Sequence, residues 1–190
     1  MSSPTALGHC LFDTAIGTCA IAWGEQGLVC VQLPEAGALR TRARMQRRCP
    51  LAPEAAPPPE VQMAIRRITA LLLGERDDLR DLLLDMRGVP PFHQKVYAVA
   101  RAIAPGRILT YGDVAAQIGE PGAARAVGQA LGHNPFAPVV PCHRVLAAGS
   151  RSGGFSANGG VATKLRMLQI EGAQIGGAPG LFDDEFAPPD

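Results

Sequence analysis

Residues 111–131 read YGDVAAQIGEPGAARAVGQAL, and this stretch decides the fold of the second half of the chain. Its spacing predicts a short helix over 111–118, a glycine-containing turn over 119–122 and a second short helix over 123–131. Two short helices joined by such a turn are typical of the helix-turn-helix unit of DNA-binding proteins. An αα-hairpin with a purely structural role fits the same pattern, so both interpretations stay open at this point.

The second of these helices surrounds a single arginine with small side chains. Ala124 and Ala126 flank Arg125. Small side chains let a helix approach a DNA groove closely, since the minor groove is only about 6 Å wide. Arg125 is then the one long cation able to enter the base stack or reach a phosphate. Alternatively, the small residues pack on the protein's own core and leave Arg125 exposed by accident.

The chemistry of the chain centres on Pro141-Cys142-His143-Arg144-Val145, which follows a proline-containing segment, 134–140. A thiol held rigidly beside a histidine and an arginine is in an electropositive setting, which lowers its pKa and favours the nucleophilic thiolate. Neighbours in an extended segment point in opposite directions, so a turn or a bridging water must connect Cys142 with His143. A buried, inert cysteine is the alternative interpretation.

A carboxylate further along the chain completes a candidate triad. Glu171 lies in the otherwise uncharged stretch 167–180 and is able to orient His143. Because a triad is defined by geometry and not by sequence spacing, only the fold can test this assignment.

Composition bounds the class of protein. The 190 residues are 47% hydrophobic and carry a net charge of +1, which excludes a disordered chain. No run of 18 apolar residues occurs, and the first residues lack the pattern of a signal peptide, so we expect a cytoplasmic protein. Eight basic and three acidic side chains fall within 89–176, a balance that suits a polyanionic partner.

The first half predicts a small α/β unit. Apolar runs separated by glycine-containing turns predict an antiparallel meander. After the meander, apolar residues at helical spacing predict two helices with a proline-rich loop between them. The predicted segments are strands at 7–13, 18–23 and 27–33, a helix at 36–48, a loop at 50–59, a helix at 60–73 and a strand at 79–86. Gly88 to Pro91 marks a boundary, after which an apolar stripe predicts a helix over 91–104.

The five cysteines do not indicate a disulfide framework. Cys10, Cys19, Cys30 and Cys49 are scattered, the total is odd, and no C-x-x-C pair occurs. We therefore expect reduced thiols buried in the core. A zinc site that combines His9 with the first two cysteines has no further support, so no metal is predicted.

Several short motifs together resemble one family. They are 123–128 (AARAVG), 134–135 (NP), 141–145 (PCHRV), 159–160 (GG) followed by Lys164, and 171–172 (EG). The run resembles the O6-alkylguanine-DNA alkyltransferases, also called methylated-DNA–protein-cysteine methyltransferases. The resemblance is dense over 90–175 and weaker but colinear over 5–90.

The resemblance implies a fold in two parts. It predicts an N-terminal ribonuclease-H-like α/β domain over 1–88. A mostly α, winged-helix-like domain with the helix-turn-helix unit follows over 89–176 and carries both DNA binding and catalysis. The remaining residues, 177–190, are expected to form a flexible acidic tail.

The resemblance also implies catalytic roles. Cys142 becomes the acceptor cysteine, with His143 as a water-relay histidine and Glu171 as its supporting acid. Tyr111 lies near the guanine and the adjacent phosphate, and Asn134 braces the active-site turn. Arg125, between Ala124 and Ala126, takes the place of the extruded nucleotide in the stack; these three and Tyr111 are the predicted DNA-binding residues.

The implied substrate pocket contains a departure from the family pattern. The pocket positions are Val145, Ser156, Phe155 and Lys164, with Ser156 donating to O6 of the guanine and Lys164 supporting Tyr111. The family commonly has tyrosine where this chain has Phe155, and the loop from there to Lys164 is about two residues longer. The shape of the pocket, and with it the preferred alkyl group, is expected to differ.

The expected activity is stoichiometric DNA repair. The protein flips O6-methylguanine out of the duplex and transfers the alkyl group irreversibly to its own cysteine, without cofactor or metal. We expect a monomer that acts on double-stranded and single-stranded DNA containing alkylated bases, with no membrane partner. The rival classes are a cysteine hydrolase or transamidase, which has no need of Arg125, a non-enzymatic DNA sensor, which has no need of Cys142, and a transcription regulator.

Overall fold

The structure, a computed structural model, describes residues 4–148 and 160–174. The chain order is three strands, three helices, a short strand, two helices, a second short strand and a last helix. They are β1 (Gly8–Thr14), β2 (Gly17–Gly24), β3 (Gly27–Gln32), α1 (Ala38–Arg48), α2 (Pro59–Leu72), α3 (Pro91–Ala102), β4 (Leu109–Thr110), α4 (Tyr111–Gln117), α5 (Ala124–Gly132), β5 (Val145–Leu146) and α6 (Val161–Ile170).

The first three strands form an antiparallel sheet in the order β1-β2-β3, which confirms the predicted meander. Gly27 begins β3 with φ +128°, and a Cβ atom at this position would lie 2.5 Å from the carbonyl oxygen of Leu83. Only glycine therefore fits where the turn meets the returning chain.

The two faces of the sheet bury different helices. Successive side chains of β2 alternate between the faces, as the period of a strand requires. Ile21 packs into a cluster with Ile68 of α2, whereas Ala20 and Ala22 pack against Met45 of α1. The small side chains of β2 thus face the more polar helix α1, and the large ones face α2.

The predicted strand over 79–86 is wrong. Leu79 adopts φ 54°, and its N–H donates to the carboxylate of Asp77. A left-handed residue interrupts an extended segment, because it turns the backbone away from the strand direction. The segment makes one isolated bridge, between Leu28 and Leu84, and is otherwise irregular.

Helices α3, α4 and α5 enclose a second core. Val96 and Ala100 of α3 pack with Val114 of α4 and with Val127 of α5, all fully buried. The predicted helices of this half are confirmed, with ends that differ by one or two residues. The apolar stripe of α3 is therefore the surface on which the helix pair α4–α5 rests.

Hydrogen bonds to backbone carbonyl oxygens join the halves of the molecule. The N–H of Val31 in β3 donates to the carbonyl oxygen of Pro135 over 2.8 Å. Arg101 of α3 donates to the carbonyl oxygens of Leu79, Arg80 and Leu82, at 3.2, 2.6 and 2.9 Å. The side chain of Arg101 thus donates to backbone carbonyl oxygens that have no neighbouring strand to bind in the described part of the chain.

No helix within the described residues is long and apolar enough to cross a membrane. All five cysteines are free thiols, and four of them, including Cys19 and Cys142, are buried. The described residues contain no group of three or more potential metal ligands.

Candidate active site

Cys142 begins a single 3₁₀ turn, Cys142–Arg144, which leads directly into β5. The turn supplies the change of direction that the sequence required between Cys142 and His143. Asn134 holds the segment before it: its side-chain amide donates to the carbonyl oxygen of Val140 over 2.8 Å, and its Oδ1 accepts the N–H of Phe136 over 2.9 Å. Both hydrogen bonds are buried and fix the approach to the turn.

The Cys142 thiol is 7% exposed and lies in the second core, where Tyr111 is partly buried beside it. Burial raises the pKa of this thiol, against the opposing effects of a hydrogen bond with Asn134 and the charge of Lys164. The predicted low pKa is therefore wrong for this enclosed state. An electropositive neighbourhood is present, but desolvation of the thiolate outweighs it.

His143 and Glu171 meet, as the sequence predicted, with Nε2 and Oε1 2.8 Å apart. Arg144 binds the same carboxylate through Nε (2.9 Å to Oε2) and Nη2 (2.8 Å to Oε1). The N–H of Gly106 adds a fourth donor, 3.2 Å from Oε2. The carboxylate is thus shared between a histidine that follows the thiol directly and a buried arginine.

Electrostatics assign charge within this group. Burial lowers the pKa of His143, although the hydrogen bond with Glu171 and the charge of that carboxylate raise it. The imidazole is therefore neutral at pH 7. Burial by itself would raise the pKa of Glu171, but the hydrogen bonds from His143 and Arg144 bring it down to about 2. The group therefore consists of a neutral imidazole beside an ionised carboxylate that Arg144 balances.

Lys164 of α6 is a buried cation next to the turn. Its Nζ donates to the carbonyl oxygen of Val145 over 2.7 Å and lies 5.8 Å from the centroid of the Tyr111 ring. Burial lowers its pKa, and the nearby Cys142 opposes that effect. Lys164 thus connects α6 with Val145 and with the Tyr111 ring, and its charge favours the thiolate form of Cys142.

A reciprocal cap fixes the start of α4, next to Tyr111. The Thr110 hydroxyl accepts the N–H of Asp113 over 3.1 Å, and the N–H of Thr110 donates to the Asp113 carboxylate over 2.8 Å. This cap orients Tyr111, the first residue of α4. A Cβ at Gly128 of α5 would be 4.0 Å from the Tyr111 ring, so the two helices approach closely there.

The two interpretations of the small residues in α5 prove compatible. Val127, Ala130 and Leu131 face the core. Arg125 is exposed, and Ala124 and Ala126 are half-buried beside it. The helix therefore packs on its own core with one face and presents its single arginine to solvent with the other.

The structure brings the catalytic candidates into one place and leaves Arg125 on the outer face of α5. Phe155 and Ser156 lie outside the described residues. Sequence analysis missed Arg144 and Gly106 as partners of Glu171. Nothing local could have indicated them, whereas the cap of α4 was visible as threonine followed three residues later by an acid.

Fold and site together define a class: an α/β protein that holds a buried thiol on a turn in the same core as the helix pair α4–α5. The family model described as "6-O-methylguanine DNA methyltransferase, DNA binding domain" matches residues 91–173. A methylated-DNA–protein-cysteine methyltransferase of Mycobacterium tuberculosis is 42% identical over 120 residues, which are 63% of this chain and 70% of that protein. One from Methanothermobacter thermautotrophicus is 31% identical over 171 residues, 90% and 86% of the two chains.

Solved structures agree with these relatives. The crystal structure of Mycobacterium tuberculosis OGT in complex with DNA superposes with a TM-score of 0.70 at 33% identity, covering 87% of this chain and 92% of that one. The O6-methylguanine-DNA methyltransferase of Pyrococcus kodakaraensis gives 0.67 at 27% identity, covering 87% and 99%. The chain belongs to the methylated-DNA–protein-cysteine methyltransferase family.

Proposed function

We propose that this protein repairs alkylated DNA by transferring the alkyl group of O6-alkylguanine to its own Cys142. The observation that carries the proposal is the position of Cys142, on a rigid turn between the His143–Glu171 pair and the helix pair α4–α5. A thiol between a histidine that Glu171 holds in place and a proposed DNA-binding surface suits nucleophilic attack on a nucleobase.

The base must leave the duplex to reach the sulfur. Flipping a nucleotide costs a few kcal/mol, and a side chain that enters the vacated stack offsets part of that cost. Arg125 is the exposed cation of α5, between the small residues Ala124 and Ala126, and we assign this role to it. Tyr111, at the start of α4, lies at the entrance from the helix pair to the turn.

Transfer begins with loss of the thiol proton. We propose that a water molecule carries it from Cys142 to Nδ1 of His143, the ring nitrogen that does not contact Glu171. Burial raises the pKa of the thiol, so transfer needs this proton acceptor to form the thiolate. Asn134 and Lys164 then stabilise the negative sulfur.

The chemical step exchanges one bond for another. The sulfur attacks the alkyl carbon, an S–C bond forms, the C–O6 bond breaks, and the guanine leaves with the electron pair. Tyr111 and Ser156 are assigned to stabilise the charge on the departing base, and the carbonyl oxygens of Cys142 and Val145 to accept from its exocyclic amine. Because the product thioether resists hydrolysis, each molecule reacts once, without cofactor or metal.

The finer fold assignment is part of this proposal. We infer a ribonuclease-H-like domain over 1–88, supported by the meander with α1 and α2 on its two faces. We infer a winged-helix-like domain over 89–176, supported by the separate core of α3, α4 and α5. We further propose a monomer that accepts double-stranded and single-stranded DNA; the predicted tail, 177–190, and Phe155 lie outside the described residues.

One experiment separates transfer from hydrolysis. The protein is mixed with an oligonucleotide that contains O6-methylguanine, and the intact mass and the peptide that carries Cys142 are measured. We expect one added methyl group on Cys142 and an equal amount of repaired guanine. A cysteine hydrolase would leave the protein mass unchanged after many turnovers, and a DNA sensor would bind the oligonucleotide without changing either partner.

A further inference from the structure

A pair of thiols lies in the N-terminal half, far along the chain from Cys142, the proposed acceptor. Cys30 is on β3 and Cys49 follows the last residue of α1, and both belong to the cluster between the sheet and α1. The two thiols share a hydrogen bond. Nη1 of Arg48 lies 3.5 Å from the sulfur of Cys30. The pair therefore consists of two adjacent sulfurs with a guanidinium on one of them.

A cavity of about 720 Å³ opens onto this pair. Cys30 and Cys49 are only 2% and 7% exposed, yet both line the cavity wall. The charged and titratable side chains that also line it are Arg44, Arg48, Asp85, Arg87 and His133. Arg87 pairs with Asp85 through Nη2 and Oδ2, and Nε of Arg44 lies 3.8 Å from the carboxylate of Glu35, so Arg48 is the cation in contact with the sulfur of Cys30.

Cys30 differs from the other four cysteines of the chain in acidity, whereas the hydrogen bond between the two thiols, together with burial, raises the pKa of Cys49. The hydrogen bond from Cys49 and the charge of Arg48 lower the pKa of Cys30 to about 7, against the effect of burial. Burial raises the pKa of Cys10 to about 11 and of Cys19 to about 12, and it also raises that of Cys142. Because thiolates react with oxidants and thiols do not, Cys30 is the preferred target.

We propose that Cys30 and Cys49 form a peroxide-sensitive dithiol site that oxidises to a disulfide before the thiol of Cys142 is attacked. The Cys30 thiolate attacks one oxygen of a hydroperoxide; the O–O bond breaks, and the leaving oxygen takes a proton and departs as water or an alcohol. The Cys49 sulfur then displaces hydroxide from the resulting sulfenic acid. With hydrogen peroxide, two thiols and one peroxide give one disulfide and two waters.

Alkyl transfer to Cys142 does not use this cavity, whereas oxidation of Cys30 does. Hydrogen peroxide is close to water in size, so a cavity of this volume admits it. Arg48, beside the sulfur of Cys30, stabilises both the thiolate and the hydroxide that leaves. Cys142, enclosed in the other core, is spared for its own reaction.

The test treats the full-length protein with one equivalent of hydrogen peroxide, followed by alkylation of the remaining thiols and peptide mapping without reduction. We expect the peptide containing Cys30 to be joined to the peptide beginning at Cys49, with Cys142 still alkylated. Fragmentation of the joined peptide distinguishes Cys30 from Cys10 and Cys19. Oxidation of Cys142 first, or sulfinic acid at any cysteine without the joined peptide, would overturn the proposal.

Variants sharpen the test. Cys49→Ser should leave Cys30 as a persistent sulfenic acid that a dimedone probe labels, whereas Cys19→Ser, in the same sheet, should form the disulfide as before. Arg48→Gln should slow disulfide formation by about threefold or more at pH 7, because less of Cys30 is ionised. Equal rates for Arg48→Gln and the unaltered protein would contradict the assigned role of the guanidinium. The alkylation pattern of the unaltered protein decides the outcome even if a variant does not fold.

Discussion

His143 and Glu171 are separated by 28 residues in the chain, yet Nε2 of one lies 2.8 Å from Oε1 of the other. Arg144 occupies the remaining face of the same carboxylate. The contact ties α6 to the turn that carries Cys142 and fixes the imidazole next to the thiol. His143 and Glu171 therefore serve both the proposed proton transfer and the packing of the second half, so a change in their protonation also changes the stability of the protein.

That linkage predicts acid sensitivity. The pKa of His143 is below its ordinary value, so the unfolded chain binds its proton first, and stability should fall as the pH drops below about 6.5. The pKa of Glu171 falls from 4.5 to about 2, so its contribution is present above about 4.5 and is lost as the pH approaches 2. Urea unfolding between pH 7 and pH 3 should show both decreases. A free energy of unfolding that does not change over this range would contradict the assigned charges.

Glu171→Gln should lower the free energy of unfolding at pH 7 by about 3 kcal/mol, because it leaves Arg144 buried without a counter-charge. The decrease in stability below pH 4.5 should shrink in this variant. The matched control is Glu75→Gln at an exposed position, which should behave like the unaltered protein. If both variants unfold at the same urea concentration, the buried pair is not a source of stability.

Cys142→Ala should abolish methyl transfer while affinity for duplex DNA stays within about twofold, since the thiol lies behind the proposed DNA-binding surface and not on it. Transfer is followed by loss of O6-methylguanine from the oligonucleotide, and binding by fluorescence anisotropy. Cys19→Ala, which removes a buried thiol from the sheet, should transfer normally. Residual transfer by the Cys142 variant would place the acceptor elsewhere.

Arg125→Ala should slow repair of duplex DNA by about 10-fold to 100-fold, which corresponds to the few kcal/mol that stack insertion supplies. Reaction with the free O6-methylguanine base should change little, because no base is flipped there. Arg66→Ala, at an exposed position of α2, serves as the charge-matched control. An unchanged single-turnover rate on duplex DNA would show that Arg125 does not support flipping.

Asn134→Ala should destabilise the protein by about 2 kcal/mol, because two buried backbone groups lose their partners. It should also slow transfer, since the approach to the Cys142 turn loosens. Gln94→Ala removes a comparable amide, which donates to the Val89 carbonyl over 2.8 Å at a half-buried site far along the chain from the thiol. That variant should lose less stability and keep the transfer rate; equal losses in both would contradict a specific bracing role for Asn134.

Local patterns predicted much of the fold. The meander, the flanking helices and the pair α4–α5 are confirmed because spacing of two or about 3.6 residues, together with glycine and proline positions, is a property of neighbouring residues. The strand expected at 79–86 is wrong for a complementary reason. Leu79 and Leu82 are buried, but the Asp77 carboxylate holds Leu79 in a left-handed conformation that the pattern of apolar residues does not reveal.

The sequence by itself determined the chemical groups: the thiol in its proline-flanked motif, the histidine beside it, the candidate acid at Glu171 and the arginine among small residues. Tertiary structure alone decided the acidity of Cys142, the sharing of Glu171 with Arg144, and the meeting of Cys30 with Cys49. The reason is physical. Residue type and local spacing set what a group is able to do, whereas desolvation and partners from distant elements, which arise only on packing, set its charge.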